Sequence, residues 1–476
     1  MATLYNPDSL TNMAVREMAN YITYFMNWTI MINHKHYQEA CDHLDRIINR
    51  YVPPLMANSL TPAFIRPVNQ CYNKLKNDTV FKSNCHKIAP AVLKSVIHKS
   101  TKSLDCIRNT AHPTPLDYYK VTNSDLIYKT LSLLHGLREL RLGIAQRTDD
   151  MVLDVRGFRD TLEEFASRSC WDRDFETLAK YCKRLRCVDI SSSEGITERA
   201  VDYILMFEQL EEINLCQVRS LSEDTLQRLL KGLAEGEVSK GEGLRTCNEA
   251  ASSKSAWAFR AQWLKIFGCN NPSDHHITTI AQFRNLTSLA FSNVLNTSLT
   301  PLHVLKHLQN IFLKKSKFIC VSELLISIGN QLECLNIVDV SGTDCSFISD
   351  NCQSLTCLHL CFEEVEDLCL PRDYRQAEQA TVPVPDFPNV ECLQLFLRDP
   401  HAADYIVTGC KNLRSLNIQT KFSDIRLFVD GIRERKNLTR LEEVFWEDVV
   451  VMCSQKECCT FKFHSDGTTV RNMVQK

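Results

Sequence analysis

QLECLNIVDVSGTDCSFISDNCQSLTCLHL, residues 331 to 360, carries one spacing twice: Leu, two residues, Leu, one residue, Leu or Ile. The copies are Leu332, Leu335, Ile337 and Leu355, Leu358, Leu360. Upstream, the same spacing falls on Leu137/Leu140/Leu142, Leu185/Val188/Ile190, Leu210/Ile213/Leu215, Leu264/Phe267/Cys269, Leu286/Leu289/Phe291 and Leu308/Ile311/Leu313. Downstream it falls on Val390/Leu393/Leu395 and Leu413/Leu416/Ile418. Ten copies exceed what chance supplies, so the chain from about residue 100 is an internal repeat. Within each copy the alternating apolar positions predict a short strand whose Leu, Ile or Val side chains all face one way.

From Leu264 the copies start at 264, 286, 308, 332 and 355, steps that lie within the period of leucine-rich repeats. Between strands the chain has to return by a helix or an irregular turn. No unit can bury its apolar face alone, so the units have to stack. The expected fold is an α/β leucine-rich-repeat solenoid with a small N-terminal helical domain.

A second register narrows the type. Cys182, Cys352 and Cys410 each stand three residues before the first apolar position of a repeat, in CKRLRCVDI, CQSLTCLHL and CKNLRSLNI. This pattern resembles the cysteine-containing leucine-rich repeats of ubiquitin-ligase substrate receptors. GITERAVDYI and LSEDTLQRLL resemble that family's strand-to-helix turn, with a hydroxyl suited to capping the returning helix. The chain departs from the family eight residues after the first Leu, where Asn or Cys is replaced by Ser193, Val218, Val294 or Val340; irregular turns are expected there.

Residues 1–85 lie outside the repeat. Asn6 and Pro7 make a helix start, and Leu10, Ala14, Met18, Tyr21 and Phe25 recur at helical spacing as one apolar face. A second helix is expected over 37–51, stopped by Pro53 and Pro54. SLTNMAVREM, Ser9 to Met18, resembles the Elongin-C-binding box of von Hippel-Lindau and SOCS-box adaptors, with Leu10, Ala14 and Met18 at its contact positions. VPPLM, residues 52–56, resembles the start of a cullin-binding box, which assigns Val52, Pro53 and Met56. The resemblance implies a non-catalytic substrate-recognition subunit of a cullin-RING ubiquitin ligase, with Elongin C, a cullin and a protein substrate as partners. Two readings compete with it: the N-terminal helix only caps the open end of the solenoid, or the chain is an interaction scaffold with no ubiquitin role. A leucine-rich GTPase activator would need a catalytic Arg or Asn that cannot be assigned. No Leu-Pro-x-Glu opening marks an F-box.

The solenoid is expected over 86–446, with a degenerate first repeat near Leu104 and Ile107. Loop insertions are expected near 232–255 and 371–388, and a C-terminal cap with a polar tail over 447–476, disordered from about Ser465. With a formal net charge of −2 and no basic run, nucleic acid is not an expected partner. No secretory pattern opens the sequence, and the longest apolar stretch, Tyr21 to Ile32, is too short to span a bilayer. A cytoplasmic or nuclear protein with no membrane partner is the expectation, and the 22 cysteines then read as buried small hydrophobes without disulfides.

No phosphate loop, dinucleotide fingerprint or hydrolase motif is present, so no enzyme and no cofactor are expected. Cys453, Cys458, Cys459 and His464 lack the Cys-x-x-Cys spacing of a zinc set. His34, His36, His275 and His276 read as polar residues, and no metal is assigned. In each strand the third, fifth and seventh positions face away from the core. Early repeats place Glu139, Arg141, Asp189, Glu212 and Asn214 there. Later ones place Phe312, Cys334, Val338, Cys357, His359, Cys361, Cys392 and Phe396, an exposed apolar patch anchored by Phe312 and Phe396 and expected to bind the substrate, unless the loop 371–388 covers it.

Overall fold

The structure, a computed structural model, describes residues 7–106, 125–143, 151–235, 264–362, 365–371, 374, 384–419, 443–446, 449–453, 458–463 and 469–473. The chain packs as two compact units, one within Met1–Thr225 and the other from Leu226 onward.

The first unit opens with four helices: α1 (Pro7–Met31), α2 (Tyr37–Tyr51), α3 (Ala57–Leu75) and α4 (Lys82–Val96). α1 lies against α3 and α4, and α2 against α4. The boundary expected at residue 85 falls inside α4, which continues to Val96 because Ile88, Ala89, Val92, Leu93 and Val96 form one buried stripe. Five parallel strands follow: β1 (Ser103–Asp105), β2 (Glu139–Leu142), β3 (Glu164–Ser167), β4 (Cys187–Asp189) and β5 (Glu212–Asn214). Their register stacks Leu104, Leu140, Phe165, Val188 and Ile213 in one buried row. Each such side chain contributes roughly 1.5–3 kcal/mol on burial. β3 is a repeat that the spacing conceals, because its third apolar place is taken by Ser167, whose hydroxyl is buried and accepts the Ser169 N–H at 3.2 Å.

In the second unit β6 (Ile266–Asn270), β7 (Ser288–Ser292), β8 (Asn310–Lys314), β9 (Cys334–Val338), β10 (Cys357–Cys361), β11 (Cys392–Phe396), β12 (Ser415–Gln419) and β13 (Glu443–Trp446) are parallel and in register. All ten apolar triplets lie on strands or directly beside their ends, and every triplet side chain is buried. Together with the helical returns this is a leucine-rich-repeat α/β fold.

The turns out of the strands are regular despite the missing Asn or Cys. One residue earlier in the repeat, the backbone is left-handed at Ser192, Gln217, Asn271, Asn293, Lys315 and Asp339, with φ between 47° and 65°. That conformation costs most residues on the order of 1–2 kcal/mol, and Asn or Asp less. What offsets it is the ladder. Asn293 N–H donates to Lys314 O at 2.8 Å, Lys315 N–H to Val338 O at 2.8 Å and Asp339 N–H to Cys361 O at 2.8 Å, each reaching the next strand. Ser193 does the work of the missing asparagine: its hydroxyl donates to Ser167 O and accepts the Cys170 N–H, both at 3.0 Å. Val218, Val294 and Val340 fill the same place as buried hydrophobes.

Cys182, Cys352 and Cys410 are buried where helices end. At the corresponding place before Leu332 stands Gly329, where a Cβ would meet Asn351 O at 2.3 Å and Cys352 Sγ at 2.8 Å. The neighbouring repeat's Asn351 carbonyl, with the Cys352 sulfur beside it, therefore requires a glycine there. Ser222 Oγ accepts the Thr225 N–H at 3.3 Å at the start of its helix, as the turn motif implies.

Three expectations change. The loop expected from residue 232 is still helix as far as Glu235, since Leu229, Leu230 and Leu233 are buried on one face; residues 236–255 lie outside the described residues. In the 371–388 insertion, Tyr374 Oη donates at 2.6 Å to Oδ2 of Asp399, the cap of the helix Pro400–Thr408, and its ring meets Tyr405 on that helix. The described part of that loop is thus tied to the helical side of the repeat. Finally, β14 (Val449–Cys453) and β15 (Cys458–Phe463) continue from β13 as an antiparallel meander in the expected cap, and β16 (Thr469–Met473), which pairs its backbone groups with β15, departs from the disorder expected beyond Ser465.

Candidate functional site: two interaction surfaces and a thiol cluster

α1 buries Ile22, Phe25, Met26, Thr29 and Ile30, an i, i+3, i+4, i+7, i+8 stripe. This corrects the single apolar face read through Leu10, Ala14, Met18, Tyr21 and Phe25. Ala14 is exposed, Met18 is half-buried and Tyr21 is 40% exposed, so only Phe25 belongs to both stripes. At 100° per residue the two faces are roughly a quarter-turn apart. The backbone of Leu10 is helical, and its side chain lies outside the described residues. In the second assigned segment Val52 is buried, Pro53 is exposed, Leu55 is 98% exposed and Met56 is half-buried at the end of a one-turn 3-10 helix.

The open strand face of the first unit is polar and pairs with itself. Ser103 Oγ donates to Glu139 at 2.6 Å, Arg141 bridges to Glu164 at 2.9 Å and Arg168 to Asp189 at 3.0 Å. These side chains are half-buried on a face open to water, where ion pairs contribute on the order of 1 kcal/mol or less.

The same face of the second unit is built in three rows by the register. One row runs Asn310, Cys334, Cys357, Cys392, Ser415; the next runs Phe312, Asn336, His359, Gln394, Asn417; the third runs Lys314, Val338, Cys361, Phe396. Of the eight assigned residues Val338 is buried and the others are half-buried. Phe312 and Phe396 lie three strands and one row apart, on the order of 14 Å along the sheet, so they flank the surface and do not form one cluster.

Between them sits a denser arrangement that reading each repeat separately misses. Cys357 Sγ lies 3.1 Å from His359 Nε2, and the ligand atoms of Cys357, His359 and Cys392 all fall within 4.8 Å of one another. Cys357 also shares side-chain hydrogen bonds with Cys334 and Cys392, one on each neighbouring strand. That bond from Cys357, with the nearby His359, draws the Cys334 thiol down to about 7, while Cys357, hydrogen-bonded between the two, is pushed up. Burial pushes the structural thiols Cys182 and Cys352 up to about 12. Asn336 Nδ2 stands 3.2 Å from the outer nitrogen of His359, Nδ1. The sequence signal for this cluster is Cys at the third position of the apolar spacing in three successive repeats.

Of the histidines, His276 is fully buried and its Nδ1 accepts the Ser273 N–H at 3.0 Å, a capping role. The side chains of Cys453, Cys458, Cys459 and His464 lie outside the described residues. No disulfide joins the described cysteines. No helix among the described residues is long and apolar enough to cross a membrane.

No protein-family model matches the sequence, and no curated protein does. Among solved structures, the chain is similar to one from the yeast Rad7 and Elc1 complex, at 15% identity and a TM-score of 0.39, covering 89% of this chain and 94% of that one. An internalin from Listeria monocytogenes gives 16% identity and a TM-score of 0.30 over 67% of this chain and 78% of the other. A leucine-rich-repeat protein of Leptospira interrogans gives 14% and 0.27 over 74% and 91%.

Proposed function

We propose that this protein is the substrate-recognition subunit of a cullin-RING ubiquitin ligase and does no chemistry itself. Elongin C takes the outer face of α1 through Leu10, Ala14 and Met18. The cullin meets the segment at Val52, Pro53 and Met56, where Pro53 and Met56 offer contact surface and the buried Val52 anchors the turn. The protein substrate is held on the open strand face of the later repeats, with Phe312 and Phe396 at its two ends.

The observation that carries this reading is the division of α1 into two faces. A helix that only capped the solenoid would bury the stripe it shares with the box. Here packing uses Ile22, Met26 and Ile30, and the exposed Ala14 and half-buried Met18 remain for a groove-type contact with anchors at i, i+4 and i+8.

The test is co-expression with Elongin B and Elongin C. Wild type is expected to co-purify with Elongin C, and Leu10→Asp with Met18→Asp to lose it while the far-UV circular dichroism of the chain is unchanged. If the wild type never retains Elongin C, the chain is an interaction scaffold without ubiquitin machinery.

A further inference from the structure

We propose that Cys334, Cys357, His359 and Cys392 form a zinc site on the open strand face of the second unit, independent of the ligase reading. Zinc takes thiolate sulfur and imidazole nitrogen in tetrahedral sets, and three Cys with one His is a common structural set. The register supplies the donors without any loop rearrangement: β9, β10 and β11 are parallel and adjacent, and Cys334, Cys357 and Cys392 are direct partners across them. His359 projects from the same face as Cys357, two residues further along β10.

The distances are close to those a metal would impose. With Zn–S near 2.3 Å and Zn–N near 2.0 Å, donors in a tetrahedral set stand roughly 3.4–3.8 Å apart. Cys357 Sγ, His359 Nε2 and Cys392 Sγ are already within 4.8 Å of one another. Cys334 stands outside that group of three, hydrogen-bonded to Cys357 from the other side, and is the fourth donor of the proposed set.

Asn336 supplies the outer partner that metal-bound histidines usually have. Turning its amide over places Oδ1 against Nδ1, which then carries the imidazole proton and leaves the Nε2 lone pair for the metal. A row of small hydrophobes would need neither the histidine between the thiols nor a partner on its far nitrogen.

The experiment uses the full chain without a polyhistidine tag, purified under reductant and measured by inductively coupled plasma mass spectrometry. One zinc per chain is expected, released on blocking the thiols. Cobalt substitution is expected to give tetrahedral ligand-field bands with thiolate charge transfer, and Cys334→Ser to remove one thiolate's share of that intensity. Cys357→Ser or Cys392→Ser should abolish binding, and Asn336→Leu should weaken it by about 10- to 100-fold. Cys320→Ser, at a buried position elsewhere, and the pair Cys458→Ser with Cys459→Ser should leave it unchanged, and circular dichroism checks that each variant folds. Two outcomes overturn the proposal: a reduced wild-type chain that takes up no zinc at micromolar concentration, or zinc that survives Cys357→Ser and Cys392→Ser in folded protein.

Discussion

α1 gives the sharpest way to separate a docking helix from a capping helix, because its two faces should respond oppositely to mutation. Met26 is fully buried. Truncating it to alanine removes the transfer free energy of its side chain and leaves a cavity, which costs about 2–5 kcal/mol for buried Met→Ala. Ala14 is exposed and lies eight residues into the helix, beyond the reach of the helix dipole on its first turn. Ala14→Asp should therefore cost only the helix-propensity difference, at most about 0.7 kcal/mol. With two compact units a single global unfolding free energy is poorly defined, so the measurement is hydrogen exchange of peptides within Pro7–Val96. Met26→Ala is expected to speed exchange across α1, α3 and α4 together by roughly 30-fold or more, a factor that about 2 kcal/mol corresponds to. Ala14→Asp should change it by a few-fold at most, while Elongin C added to wild type slows exchange at the N-terminal end of α1. If Ala14→Asp opens the bundle as much as Met26→Ala does, the outer face is covered by the chain itself and the helix is a cap.

Phe312→Ala with Phe396→Ala is expected to remove substrate retention in pull-downs at a cost of about 1.5–2.5 kcal/mol for each half-buried ring, half that of a fully buried one; a loss twice as large with substrate still bound would assign both rings to the core. His98 gives a pH dependence in the first unit. Its ring is buried, Nδ1 accepts the Ser100 N–H at 3.0 Å, and burial with the adjacent Lys99 charge outweighs the opposing Asn49 backbone and Asp45 carboxylate and holds its pKa below the ordinary imidazole value. The folded chain then resists a proton that the unfolded chain accepts, so stability is full above about pH 6.5 and declines as pH falls toward the folded pKa. His98→Gln should flatten that decline in melts taken between pH 7.5 and 5, and an unchanged slope would refute it.

The repeat was legible because a buried row tolerates only apolar side chains: all ten triplets became β-strand cores. The repeat at β3 was not, since Ser167 satisfies its own hydroxyl through Ser169 N–H and so can replace an apolar residue in a place where spacing alone demands one. Turn regularity was hidden for a related reason. The left-handed residues at Ser192, Lys315 and Asp339 differ in type and share only a backbone hydrogen bond to the next strand, which side-chain identity does not reveal.

The candidate sites differ in legibility on physical grounds. On α1 the apolar residues outnumber what one face needs, so spacing alone admits two stripes that share Phe25, and only the packing partners α3 and α4 choose between them. A 25-residue helix is about 38 Å long, longer than the 15-residue α4 it packs on, and none of the side chains from Ala14 to Tyr21 is buried. The excess apolar residues are thus the ones left outside, which is what a second contact for that helix requires. On the open strand face the sequence yields each strand's outward positions and withholds the pairing across the insertion between β10 and β11. Once that pairing sets Cys392 beside Cys357, three cysteines that look like isolated small hydrophobes become neighbours around one histidine, and their chemistry changes with no change in their composition.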